Sequence, residues 1–244
     1  MSRRGEPGPG DQRVALPQFD AAQRALDDPM TRIGLVVGDL TRPDPAWGVD
    51  AIVNAANESL LGGRGVDGAV HKAAGPGLLE HTRTLGGCPT GLAKATPAFD
   101  LESRGIRHIF HAVGPVWPAS HAPDPATGQA SFAMPGAPLG EAASLGYLRE
   151  DTLLASCYLQ CLQLAQQRGV RGLAFPAIST GVYRFPKTRA AKIAFGHVFG
   201  HFAQRPAPDF PQKVLFVCFS DEDAAVYRGV IQTRADWMAN RRRV

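Results

Sequence analysis

From residue 33 onward the chain alternates short apolar runs with longer helical patterns, and this alternation limits it to a layered α/β domain. Apolar runs at 33–37 and 51–53 predict strands. Helical spacing follows through 69–74 and 78–85. Residues 92–99 and 106–113 again predict strands, the second apolar apart from His108 and His111, as expected of a strand covered on both faces. A long helix is predicted over 149–167, closed by Gly169, then a buried strand at 173–178, a helix over 187–202, a strand at 214–219 and a last helix over 222–238. In such a fold the ligand sits at the carboxyl ends of the strands, so the loops that leave them carry the chemistry.

Three segments fall outside the pattern. Residues 1–30 form a leader, expected to be disordered over 1–13, where Arg, Gly and Pro are frequent, with a short helix at 19–26. Residues 118–146 are Pro, Ala, Gly and Ser without periodicity, too long for an ordinary connection and hence an insertion, either a lid or a floppy one. Residues 241–244 form a basic tail, leaving 31–240 as a single domain.

Composition narrows the function by exclusion. The net charge of +4 suits an anionic ligand, and the closing Arg241-Arg242-Arg243 is read as a solvated tail rather than a nucleic-acid contact. None of the four cysteines stands in a CxxC pair, so neither a disulfide framework nor a zinc knuckle is expected. Cys157 and Cys161, one helical turn apart, are assigned to the core. No apolar stretch is long enough to span a membrane, and the apolar segment of an export signal is missing after Arg3-Arg4, so a cytoplasmic protein without membrane contact is expected. His197 and His201 share a helical face without the Glu of HExxH, and no metal or other cofactor is expected.

Two loops carry the strongest signals. The first runs from Asn54-Ala55-Ala56-Asn57, ending a strand, through Gly62-Gly63-Arg64-Gly65-Val66-Asp67-Gly68 into a helix. Glycines let a ligand approach the backbone, and the helix start adds N–H groups with a partial positive charge. The second loop, Ser179-Thr180-Gly181-Val182-Tyr183, again follows a strand and precedes a helix. Two anion cradles imply a diphosphate. Neither has the lysine of a P-loop or the GxGxxG spacing of a dinucleotide fold.

Taken in order, Gly38-Asp39-Leu40-Thr41, residues 53–57, the loop 61–68, residues 85–91, His111-Ala112-Val113-Gly114-Pro115 and residues 175–183 resemble the successive motifs of MacroD-type macrodomains over about residues 31–220. The resemblance implies a three-layer α-β-α fold around a central mixed, mostly parallel sheet. It also implies that the chain binds ADP-ribose and hydrolyses mono-ADP-ribosyl esters on acidic protein side chains, and O-acetyl-ADP-ribose; the alternative is a reader that binds ADP-ribose without hydrolysis.

It carries roles onto positions as well. Asp39, with Leu40 beside it, would take the adenine amino group, and Phe219 would stack on the adenine, core packing being its plainer alternative. The backbones of Gly63, Arg64, Gly65 and Val66 and of Ser179, Thr180, Gly181 and Val182 would hold the two phosphates. Asn57 would bond the distal ribose, with Asn54 nearby and Tyr183 over the sugar; alternatively Asn57 caps its turn. Asp67 would orient or activate water, or position the ribose while a ligand phosphate activates it. Its place at a helix start is expected to keep it ionised and a weak base. His71, four residues on, would position Asp67 or serve as a structural histidine. Arg64 and Arg184 stand where the family has small residues; Arg64 would either stiffen the first phosphate loop or add a guanidinium to the diphosphate or the modified partner.

Overall fold

The computed structural model describes residues 28–118, 148–205 and 209–241. Six strands form one sheet in the order β1-β6-β5-β2-β4-β3: β1 (Ile33–Val37), β2 (Ala51–Ala56), β3 (Ala93–Pro97), β4 (His108–Val113), β5 (Gly172–Phe175) and β6 (Lys213–Cys218). All neighbours pair in parallel except β3, which runs antiparallel to β4 at the edge. Helices α1 (Val66–Ala74) and α2 (Pro76–Thr84) cover one face, and α3 (Arg149–Gln167), α4 (Lys187–Gln204) and α5 (Asp221–Arg241) the other. The result is the three-layer α-β-α architecture with a mixed, mostly parallel sheet.

The strands are apolar on both sides because both faces are covered, and the pleat sorts their residues. On β2, Ala51 and Val53 point into the larger core with Phe110, Phe175 and Phe216 beneath α3 and α4; Ile52 points with Ile109, Ala174 and Leu215 toward Val70, Ala74 and Leu78 of α1 and α2. Parity thus sends Asn54 and His111 to the α1–α2 face, where both are fully buried. Cys157 and Cys161 lie in the larger core, as assigned.

Two buried charges tie distant segments together. Arg32 lies over the Phe202 ring and donates to the carbonyls of Arg205, Asp209, Pro211 and Gln212, holding the α4–β6 connection to the start of β1. Asp151, on the first turn of α3, accepts from the Leu148 N–H at 2.7 Å and from Arg189 Nε of α4 at 2.6 Å.

The strand at 92–99 ends at Pro97, because Phe99–Arg104 winds into a 3-10 helix. The strand predicted at 173–178 ends at Phe175, which frees Pro176, Ala177 and Ile178 to enter the loop. The helix predicted at 19–26, nearly all of the 118–146 insertion and residues 242–244 lie outside the described residues. Within them no helix is long and apolar enough to cross a membrane, and no group of three or more His, Cys, Asp or Glu side chains converges as a metal site would.

Candidate functional site

A cleft of about 630 Å³ opens at the carboxyl ends of β1, β2, β5 and β6. That volume suits a nucleotide-sized ligand. Asp39, Leu40, Asn57, Gly63, Arg64, Gly65, Val66, Asp67, Ser179, Thr180, Gly181, Val182, Tyr183 and Phe219 all line it. The two glycine loops therefore face one another across a single space. Gly114, which follows β4 and was given no role of its own within its sequence motif, also lines the cleft.

The first loop is shaped by close approach. A Cβ on Gly63 would stand 2.9 Å from Asp67 Oδ2 and 3.1 Å from Asn57 Nδ2, so a side chain there would push into the carboxylate. Gly65 is the N-cap of α1 and supplies no side-chain bond to the helix start. The first N–H groups of α1, which have no intrahelical carbonyl to meet, are left for an anion.

In the second loop Ser179 has a φ of 66°, a left-handed conformation that costs a serine about 1–2 kcal/mol. The surroundings impose it. The Phe185 N–H donates to Ser179 O at 2.9 Å, and a Cβ on Gly114 would stand 2.1 Å from Ser179 Oγ. The Trp117 N–H, beyond β4, donates to Tyr183 O at 2.8 Å and fixes the end of the same loop.

Asp67 is buried on the floor of the cleft, in the first turn of α1. Its Oδ1 accepts from Asn54 Nδ2 at 2.7 Å and its Oδ2 from Asn57 Nδ2 at 3.2 Å. His71 Nε2 lies 3.6 Å from Oδ1. Burial raises the Asp67 pKa above its ordinary value, and the Asn54 hydrogen bond and His71 offset this only in part. Where the helix start alone suggested a weak base, desolvation makes the carboxylate a stronger base than an exposed one.

Asn57 serves its own turn as well as the cleft. Its Oδ1 accepts from Ser59 N–H and Oγ, at 3.0 and 2.6 Å, and its Nδ2 also donates to Gly62 O at 2.9 Å. Asp39 Oδ1 is taken by Thr41 N–H and Oγ1, while Oδ2 stands 3.9 Å from the exposed Arg42 Nε. Phe219 is 84% exposed, which excludes the core-packing alternative. Burial raises the Tyr183 phenol, so it remains a neutral surface beside Asp67. Arg64 and Arg184 are exposed.

A cleft with two opposed backbone loops, a projecting aromatic ring and a buried carboxylate defines a binding domain for an elongated anionic ligand. The Macro domain model matches residues 53–128 and 143–194, and the chain belongs to the Macro domain family. It is 44% identical over 191 residues to a Macro domain-containing protein of Methanosarcina mazei, covering 78% of this chain and 83% of the relative. It is 41% identical over 207 residues to an O-acetyl-ADP-ribose deacetylase of an Enterobacter species, covering 83% and 95%. Among solved structures, the Oceanobacillus iheyensis macrodomain with ADP superposes with a TM-score of 0.64 at 32% identity, covering 83% of this chain and 90% of that one. The Trypanosoma brucei macrodomain in complex with ADP-ribose gives 0.64 at 31%, covering 85% and 72%.

Proposed function

We propose that this chain is a MacroD-type macrodomain that binds ADP-ribose and hydrolyses esters on its distal ribose, both O-acetyl-ADP-ribose and mono-ADP-ribosyl esters on acidic protein side chains. The observation that carries the proposal is the buried Asp67 carboxylate, held by two asparagine amides on the floor of a cleft between two anion-binding loops. Relatives named O-acetyl-ADP-ribose deacetylase and macrodomain structures with ADP and ADP-ribose support it.

Adenine lies between Asp39 and the Phe219 ring, with Leu40 beneath it. The loops around Gly65 and Gly181 hold the pyrophosphate through backbone N–H groups. Charge-assisted bonds contribute about 1.5–3 kcal/mol each. Three or four of them with a stacked base at about 1–3 kcal/mol total about 5.5–15 kcal/mol, a range that brackets the roughly 8 kcal/mol of micromolar binding. The distal ribose then rests against Asn57 and Tyr183, above Asp67.

For the acetyl ester, water adds to the acyl carbon and its proton passes to Asp67; the acyl–oxygen bond then breaks, the departing ribose oxygen takes that proton back from Asp67, and the products are ADP-ribose and acetic acid, which ionises to acetate. A base raised by burial takes that proton more readily than an exposed carboxylate, and fixed geometry supplies much of the rate. The cytoplasmic setting belongs to the same proposal; Cys88, Cys157, Cys161 and Cys218 are all unpaired thiols.

The test is Asp67→Ala, assayed by ADP-ribose calorimetry and by acetate release from O-acetyl-ADP-ribose. The expected result is a dissociation constant within about threefold of the parent and turnover lower by about a hundredfold or more, the scale of a lost acid–base group. Tight binding with no turnover in the parent protein would identify a reader instead. Unchanged turnover in the variant would assign water activation to a ligand phosphate.

A further inference from the structure

Behind Asp67, away from the cleft, a line of polar side chains crosses the buried α1–α2 face of the sheet. Asn54 Nδ2, besides its bond to Asp67 Oδ1, lies 3.1 Å from His111 Nδ1, and His111 Nε2 lies 3.1 Å from Thr96 Oγ1. Asn54 and His111 are register partners on β2 and β4, and Thr96 stands on β3. Asn54 and His111 are fully buried, Thr96 is 1% exposed and Asp67 3%. Ile52 and Ile109, on the same face, are apolar. Polar residues at three adjacent strands are costly where aliphatic ones would pack, the more so as Asn54 Oδ1 meets no hydrogen-bond partner among the described residues.

Donor and acceptor roles along the line are fixed by its ends. Thr96 Oγ1 also donates to Pro97 O at 2.9 Å, so it accepts from His111, and the ring proton resides on Nε2. Burial depresses the His111 pKa to about 3, so the ring is neutral and Nδ1 is a bare acceptor. The two amide protons of Asn54 then meet His111 Nδ1 and Asp67 Oδ1. Rotating that amide by half a turn would set its oxygen against a carboxylate and a bare nitrogen, both acceptors.

We propose that Thr96 and His111 are positioning residues that lock the Asn54 amide in one orientation and thereby hold the Asp67 carboxylate in its reactive geometry. The inference rests on the reading of Asp67 given above. The locked amide favours the ionised acid, because only a protonated Asp67 can donate to a rotated Asn54. The other titratable groups facing the line are His71 from α1, His81 from α2, Lys94 from β3 and Tyr183 from the loop after β5. Lys94 Nζ is held by Leu85 O, and His71 and His81 only push His111 further from protonation.

Thr96→Val tests the proposal with little change of volume, and Thr96→Ser restores the hydroxyl. The full chain is assayed for O-acetyl-ADP-ribose turnover across pH, ADP-ribose affinity and thermal midpoint, and the His111 ring nitrogens are observed by 15N NMR. In Thr96→Val, kcat is expected to fall about tenfold with KM and ADP-ribose affinity within about threefold, and the acidic limb of the rate profile to move to higher pH. Thr96→Ser is expected to return to within about threefold of the parent, and His111 of the parent to show the Nε2–H tautomer. An Nδ1–H tautomer overturns the proposal even if Thr96→Val fails to fold. So does an unmoved acidic limb, or a loss of kcat matched by equal losses of affinity and thermal stability. A parent with no turnover refutes the proposed function instead, and the tautomer still decides the line.

Discussion

Asp67 and His71 face each other one turn apart on α1, Oδ1 3.6 Å from Nε2, with the carboxylate buried and its pKa raised by that burial. Asp67 therefore takes up its proton at a higher pH in the fold than in the unfolded chain. Between those two pH values the native state binds more protons, so Asp67 adds stability as pH falls. Activity moves the opposite way, because the base is lost. Turnover should decline on an acidic limb centred above the ordinary aspartate value of 3.8. In Asp67→Ala the thermal midpoint should gain less on acidification than in the parent. Parallel midpoints for parent and variant from pH 7 to pH 4 would contradict this.

Phe219 projects from the end of β6 with most of its ring in water. Phe219→Ala should weaken ADP-ribose binding by the value of a stacked base, about 1–3 kcal/mol or five- to 150-fold, and leave the thermal midpoint within about 1 °C of the parent. Calorimetry and a melting curve read both arms. An affinity loss below twofold would remove the ring from the site.

Gly114 permits Ser179 to lie against β4. Gly114→Ala places a methyl group where Ser179 Oγ and Ile178 Cγ2 now sit. The second loop must shift, so ADP-ribose affinity should fall about tenfold or more and the fold should lose about 1–3 kcal/mol. Urea titration alongside calorimetry separates the two losses. Unchanged affinity would show that the loop's amides do not hold the ligand in their present positions.

Arg64 is exposed, so its contribution to an anionic ligand is screened by salt. Arg64→Ala should lower ADP-ribose affinity about two- to fivefold at low ionic strength and make no difference near 0.5 M salt. A difference that survives high salt would mean a direct, desolvated contact.

Arg189 tests the scaffold apart from the site. Its guanidinium neutralises the buried Asp151. Arg189→Leu should cost about 3–5 kcal/mol of stability by leaving that carboxylate unpaired, with ADP-ribose affinity unchanged in the protein that remains folded. A loss below 1 kcal/mol would show that water reaches Asp151.

Much of this architecture was legible because the strands are apolar runs set between helices of regular spacing; α3 was bounded correctly from its pattern and Gly169. The two loops were legible as chemistry because glycine and hydroxyl residues follow strands and precede helices. What the sequence hid is tertiary. The upward shift of Asp67 depends on burial that its helix position does not reveal, and Gly114 acquires its role from Ser179, sixty-five residues away. Phe99 extends an apolar run yet turns into a 3-10 helix; Pro97, where β3 stops, is the local mark that the apolar run concealed. His111 stood out as a polar interruption in an apolar strand and as the start of a motif, with no role attached to it. The residue type was visible, but its two partners come from different strands.

The carboxylate proposed as the base and the amides that grip it belong to one short connection, β2 to α1, but the backing of that connection lies on the antiparallel edge of the sheet. Transplanting residues 51–74 alone into another α/β scaffold would therefore carry the pocket's contents without its support. Edge-strand changes that never touch a ligand become a place where catalysis can be tuned while affinity stays the same.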